Sequence, residues 1–196
     1  MENVLEALIQ AEEFLGTRLP AFIRERNMDN QGFHALDQAA MMKLCAFEPP
    51  FLKTDKMVIF GDELVGSTSI GIGKVYPEDT KGHYNSTIYL ALAGRLMPST
   101  ATIHLAYFFP ETSPQAVEGK SIRIDREAMN GGLLEPDREG TTFYVETRVH
   151  KKKVSLVECD TVIMFGEARF GLIEKLRFVL TKKDSIYNAI VPSETV

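Results

Sequence analysis

The chain has no tryptophan and only two cysteines, Cys45 and Cys159, in 196 residues. Both cysteines sit among apolar residues with no CxxC or Cys/His spacing, which argues against a disulfide framework and a zinc site and predicts buried, reduced thiols. Positive charge is also scarce: 22 Lys and Arg against 27 Asp and Glu leave a net charge of −5. A general nucleic-acid binder needs a surplus of cations to displace counterions, so no nucleic-acid partner is expected. The single basic run, Lys151-Lys152-Lys153, lies between strand-like segments and reads as a hairpin tip. No stretch reaches the length of a membrane span, and the opening Met1-Glu2-Asn3-Val4-Leu5-Glu6 lacks the basic start and apolar core of a secretory signal. The expectation is a cytoplasmic protein with no stable membrane association. A P-loop is missing, Gly71-Ile72-Gly73 lacks the remaining glycine and helix of a dinucleotide fingerprint, and there is no Gly-x-Ser-x-Gly elbow. No cofactor or metal is therefore expected, and covalent catalysis has no support.

What is present is a 44% hydrophobic content, enough for one sizeable core. We read 1–196 as one domain, with an N-terminal helical extension (1–46), a core (47–183) and a tail (184–196). Apolar residues recur three and four apart from Asn3 to Arg26, which predicts amphipathic helix broken around Gly16 to Pro20. A second helix is expected over about His34 to Leu44. Met57–Phe60 and Leu64–Gly73 read as a hairpin turning at Gly61-Asp62-Glu63. Ser86 to Gly94 is apolar nearly all round and follows good helix caps, so a buried helix is expected there, bent or interrupted at Pro98 and resuming from Thr102 to Phe108. A loop past Pro110 and Pro114 then leads to four strands, Lys120–Ile124, Thr141–Val149, Val154–Phe165 and Arg169–Thr181. Residues 128–140 read as a long connection bordering a site. Strands, one apolar helix, then a run of antiparallel strands is an α+β order.

The densest polar stretch, Lys74 to Asn85, lies between a strand and the start of the apolar helix. Unpaired N–H groups at a helix N-terminus can stabilise a carbonyl turning into an oxyanion, and Gly82 permits close backbone approach. Gly82-His83-Tyr84-Asn85 ahead of an apolar helix resembles the Gly-His-Phe-x step into the central helix of hot-dog-fold acyl-thioester enzymes. With Glu48-Pro49, a hairpin and Tyr76 before it, the stretch from Phe47 to Phe109 is similar to the mycobacterial long-chain fatty acyl-CoA thioesterases of the type III, FcoT-like group. That resemblance implies a curled antiparallel sheet around a central helix, a homodimer or higher homo-oligomer, and acyl-CoA or acyl-carrier protein as substrate. Tyr76 matches the family's tyrosine and Asn85 its asparagine, so Tyr76, His83 and Asn85 are the implied catalytic residues, with Phe51, Gly82 and Ser86 at the substrate. Phe51 follows Pro50 where the family has a tyrosine directly after Glu-Pro, and one extra residue separates Tyr76 from Asn85.

Plainer readings stand beside these. His83 can serve only to donate to backbone at the helix start, Asn85 as an ordinary cap, and Tyr76 as a strand-end aromatic. Glu78 and Asp79 read as solvated loop charges, and His34, His104 and His150 have no supporting cluster. Three functions remain open. Thioester hydrolysis comes first, on the broader resemblance. Conjugate addition of an amine such as glycine to a 2-enoyl thioester follows, as reported for members of the family in isonitrile lipopeptide pathways. It gains from the absence of Asp or Glu between Ser86 and Ser99, because water needs a base whereas a neutral amine does not. That same absence disfavours dehydratase chemistry. A non-catalytic acyl-thioester binding module is third.

Overall fold

The computed structural model describes residues 2–45, 53–80, 86–118, 123–124 and 138–182. Helix α1 (Glu2–Leu15) ends where the sequence places its break. Gly16 adopts φ +77°, its N–H reaches the Glu13 carbonyl, and the Thr17 N–H reaches the Glu12 carbonyl at 3.3 Å. This paired closure is the Schellman arrangement that a glycine makes possible. Pro20 then precedes α2 (Ala21–Arg26).

The expected helix over His34–Leu44 is two elements, β1 (His34–Asp37) and α3 (Gln38–Leu44). Asp37 decides the boundary, because its carboxylate accepts the Ala40 N–H at 2.7 Å and so fixes the N-cap. The residues before it pair with β2 (Lys56–Phe60). The hairpin partner β3 (Thr68–Val75) starts four residues later than the expected Leu64.

Helix α4 (Ser86–Phe108) is one element of 23 residues, not two. Proline removes a backbone donor, which breaks isolated helices, but here the surrounding core holds α4 together and Thr102 donates to the Pro98 carbonyl at 2.9 Å. Nor is the helix buried all round. Its second half, Ala101 to Ala106, is enclosed apart from the partly covered Thr102, whereas Ala91, Gly94 and Arg95 are exposed.

β4 (Thr112–Glu118) occupies the segment expected as loop. Pro114 hid it, since proline cannot join a central ladder, yet β4 borders the sheet and, among the described residues, pairs on β8 alone (Thr112↔Lys182, Pro114↔Leu180). Of the expected Lys120–Ile124 strand, the described part is β5 (Arg123–Ile124). The remaining strands are β6 (Thr141–Lys153), β7 (Leu156–Phe165) and β8 (Ala168–Lys182). Lys151-Lys152-Lys153 ends β6 at the β6–β7 turn, as the hairpin reading requires. The antiparallel sheet runs β1-β2-β3-β6-β7-β8-β4, with β5 beside β8.

Alternation assigns the two faces. Ile70, Ile72, Tyr144, Val162 and Met164 pack outward beneath α1 and α2 with Leu8, Ala11, Leu15 and Ile23. Phe143, Val145, Cys159 and Ile163 pack inward against Ala93, Leu96, Met97 and Leu105 of α4. On β3 the inward positions are Ser69, Gly71 and Gly73. A Cβ on Gly71 would stand 2.9 Å from Thr100 Cγ2, so this glycine is what lets α4 approach the sheet so closely.

Candidate active site

β3 carries the chain outward to Tyr76, which is 38% exposed and is followed at once by a short 3-10 turn, Pro77–Thr80. After five intervening residues α4 begins at Ser86. Phe51, Gly82, His83 and Asn85 lie outside the described residues, as does the side chain of Ser86. Tyr76 is therefore the expected site residue whose surroundings can be given.

Those surroundings are set by the start of β6. The β3–β6 ladder ends at Val75↔Thr141, which leaves Tyr76 and Gly140 side by side just beyond it. Gly140 has φ +85°, and a Cβ there would lie 2.8 Å from Tyr76 Cε1. Lys74 Nζ donates to the Glu139 carbonyl at 3.1 Å. Gly140 thus borders Tyr76, while the greater part of the expected connection, 128–137, is outside the described residues. The turn chemistry of this connection is visible in the sequence, but the importance of Gly140 itself is not, because the contact spans the ladder.

Among the described residues acid and base groups are sparse here. Glu78 is exposed on the turn. Asp55, which no sequence motif marks, precedes β2, and its N–H donates to the Ile72 carbonyl at 2.7 Å. Burial raises its carboxyl above the ordinary value, while Lys53, Lys74 and Lys56 pull it back down.

The remaining histidines and cysteines stand elsewhere. His104 is fully buried on α4, its Nε2 2.8 Å from Ser67 Oγ, and Ser67 in turn donates to the Leu64 carbonyl at 2.6 Å. The Ser67 proton being committed, His104 Nε2 is the donor of the pair. Burial holds this imidazole neutral, lowering its pKa to about 3. His34 and His150 make surface pairs with Asp62 (3.1 Å) and Asp160 (2.9 Å). Both cysteines are buried and neither is in a disulfide, as expected. Burial pushes the Cys159 thiol up to about 12, so it is not a thiolate nucleophile at neutral pH. Among the described residues no group of three His, Cys, Asp or Glu side chains is placed to hold a metal, and no helix is long and apolar enough to cross a membrane. A surface cleft of about 380 Å³ lies over the helical layer, bordered by Arg18, Arg24, Glu25, Met28 and Glu167, with acidic and basic groups mixed.

No family model matches the chain, and no curated protein matches its sequence. Solved structures do. The dehydratase heterocomplex ApeI:P from Xenorhabdus doucetiae superposes with a TM-score of 0.51 at 9% identity, over 78% of this chain and 97% of that one. The dehydratase domain of a mycocerosic acid synthase-like polyketide synthase gives 0.50 at 10%, over 76% and 50%. A hot-dog-like protein from Thermanaerovibrio acidaminovorans gives 0.44 at 14%, over 64% and 89%. At such identities the likeness is one of fold. A curled antiparallel sheet in the order β1-β2-β3-β6-β7-β8-β4 wrapped about one central helix is the hot-dog fold, and this chain has it.

Proposed function

We propose that the protein is an enzyme acting on fatty acyl thioesters, carried by acyl-CoA or acyl-carrier protein, and that its first reaction is hydrolysis. The observation that carries the reading is the half-exposed Tyr76 at the end of β3, ten residues ahead of the α4 N-terminus, in a hot-dog frame. In this reading the first N–H groups of α4, with Gly82 and Ser86, receive the thioester carbonyl oxygen as it gains negative charge. Asn85 and Tyr76 orient the nucleophile, His83 holds the loop or relays a proton, and Phe51 lines the acyl pocket. Water adds to the carbonyl carbon, the C–S bond breaks, and the thiol leaves with a proton.

A second reading, conjugate addition of glycine to a 2-enoyl thioester, is favoured by the lack of a placed carboxylate base among the described residues. α4 contains no Asp or Glu, Glu78 is exposed, and His104 is sealed and neutral. A neutral amine needs no base to attack the β-carbon. The electron pair moves to the carbonyl oxygen as an enolate, held at the same helix N-terminus, and the proton shed by the newly bonded nitrogen is balanced by one taken up at the α-carbon, with the thioester intact. The fold neighbours include two dehydratases, but proton transfer of that kind relies on a carboxylate that α4 lacks. We further propose a homo-oligomer formed edge to edge. In support, β4 pairs with β8 on one side and, among the described residues, with no strand on the other.

Mass spectrometry of the protein incubated with palmitoyl and 2-decenoyl thioesters, on CoA and on a carrier protein, with and without glycine, separates the readings. Free acid plus thiol establishes hydrolysis; a gain of one glycine on intact enoyl thioester establishes addition; binding without turnover leaves a binding module. Asn85→Ala and Tyr76→Phe should each lower turnover by about 10²-fold, the loss typical of one positioned donor. Full turnover by both variants would remove the site.

A further inference from the structure

If Tyr76 works at the reacting centre, its ring must be held in one orientation, and the group that holds it lies across the sheet, just ahead of β6. Tyr76 and Gly140 are the first residues beyond the last rung of the β3–β6 ladder, Val75↔Thr141. The ring edge rests over the Gly140 α-carbon: a Cβ at 140 would meet Tyr76 Cε1 at 2.8 Å, Tyr76 Cδ1 at 2.9 Å and Lys74 Cδ at 3.2 Å. Gly140 also sits at φ +85°, a conformation that L side chains rarely adopt. The peptide before it is tied down by the Lys74 ammonium, which donates to the Glu139 carbonyl at 3.1 Å.

We infer that Gly140 is a positioning residue for Tyr76, with the Lys74–Glu139 contact as its brace. The inference rests on the proposed role of Tyr76. Carbon atoms pack best at roughly 3.5–4.0 Å, so a methyl group at 140 displaces the ring by about 1 Å from where the glycine leaves it. A misplacement of that size costs on the order of a hundredfold in rate.

The test measures kcat and KM of the full chain on palmitoyl-CoA and on 2-decenoyl-CoA with glycine. It compares Gly140→Ala, Lys74→Met, Tyr76→Phe and the two double variants with Tyr76→Phe, following thermal unfolding in parallel. Gly140→Ala should lower kcat by about tenfold to a hundredfold with KM within about twofold. In the Tyr76→Phe background it should cost less than about twofold, because the hydroxyl it misplaces is already gone. Lys74→Met should cost a few-fold in kcat, again only with Tyr76 present. Equal losses in both backgrounds would overturn the inference, since Gly140 would then be acting elsewhere. If Gly140→Ala fails to fold, the Lys74→Met cycle tests the inference by itself, with the same two outcomes. Full turnover by Tyr76→Phe removes the role of Tyr76 and the inference with it. Impaired Tyr76→Phe beside fully active Gly140→Ala and Lys74→Met removes the inference alone.

Discussion

The two faces of the sheet treat buried polarity in opposite ways. On the outer face Glu146 is 1% exposed and its carboxylate is saturated. Arg26 Nε donates to it at 2.8 Å, Asn27 Nδ2 at 2.7 Å, and Arg148 through both Nε and a terminal nitrogen. Arg148 also donates to the Arg26 carbonyl and Asn27 to the Ile23 carbonyl, so this one carboxylate fixes the end of α2 on the sheet. On the inner face, Ser69 and Thr147 stand opposite each other on β3 and β6, and Thr54 and Thr100 lie beside Gly71. All four hydroxyls, and Nδ1 of His104, are buried without a hydrogen-bond partner among the described residues. The difference teaches that the outer polar groups dock an added helical layer, whereas the inner ones are tolerated where small side chains let α4 lie close.

The largest effect should come from breaking the outer cluster one-sidedly. Arg26→Met with Arg148→Met leaves a buried carboxylate short of cations and should cost about 3–5 kcal/mol in urea unfolding. Adding Glu146→Leu should recover more than half of that. Next comes the inner imidazole. Folding lowers the His104 pKa from 6.5 to about 3, so the native state disfavours the proton that the unfolded chain accepts. Its stabilising contribution is complete above pH 6.5 and is lost as pH falls from 6.5 towards 3, at up to about 1.4 kcal/mol per pH unit. Between about pH 7 and pH 5 the parent protein should lose about 2 kcal/mol more than His104→Asn, measured by urea midpoints. The smallest pair of changes sets the two faces directly against each other. Tyr144→Phe removes the outer hydroxyl that lies 3.1 Å from Thr17 Oγ1 and should cost about 1 kcal/mol. Thr147→Val deletes an unpartnered inner hydroxyl and should be neutral or stabilising by up to about 1 kcal/mol in calorimetry. A loss on Thr147→Val equal to that on Tyr144→Phe would erase the contrast.

Local signals are readable where a residue's own backbone preference decides the outcome. Gly16 and Pro20 mark the break between α1 and α2, and the lysine run marks the β6–β7 turn. Sequence patterns mislead where a neighbour distant in the chain decides. Pro114 argues against a strand, yet β8 needs only one edge of β4. His34–Asp37 continues a helical pattern, yet pairing with β2 holds it extended. Pro98 stays within α4 because the core around it holds the helix. Of the candidate site, Tyr76 and the start of α4 are legible from the polar stretch between strand and helix. The connection that ends at Gly140 reads as bordering a site, but its contact with Tyr76, far along the chain, is not legible.

By itself the sequence determined the α+β order, the apolar central helix and the polar stretch ahead of it, because strand alternation, helix periodicity and turn chemistry are properties of short segments. Only the tertiary structure decided that Glu146 is buried and paired, that His104 is a sealed core histidine, and that Gly140 lies under the Tyr76 ring. Each of these depends on which strand or helix lies alongside, and burial, desolvation and close approach are set by neighbours far apart in the chain.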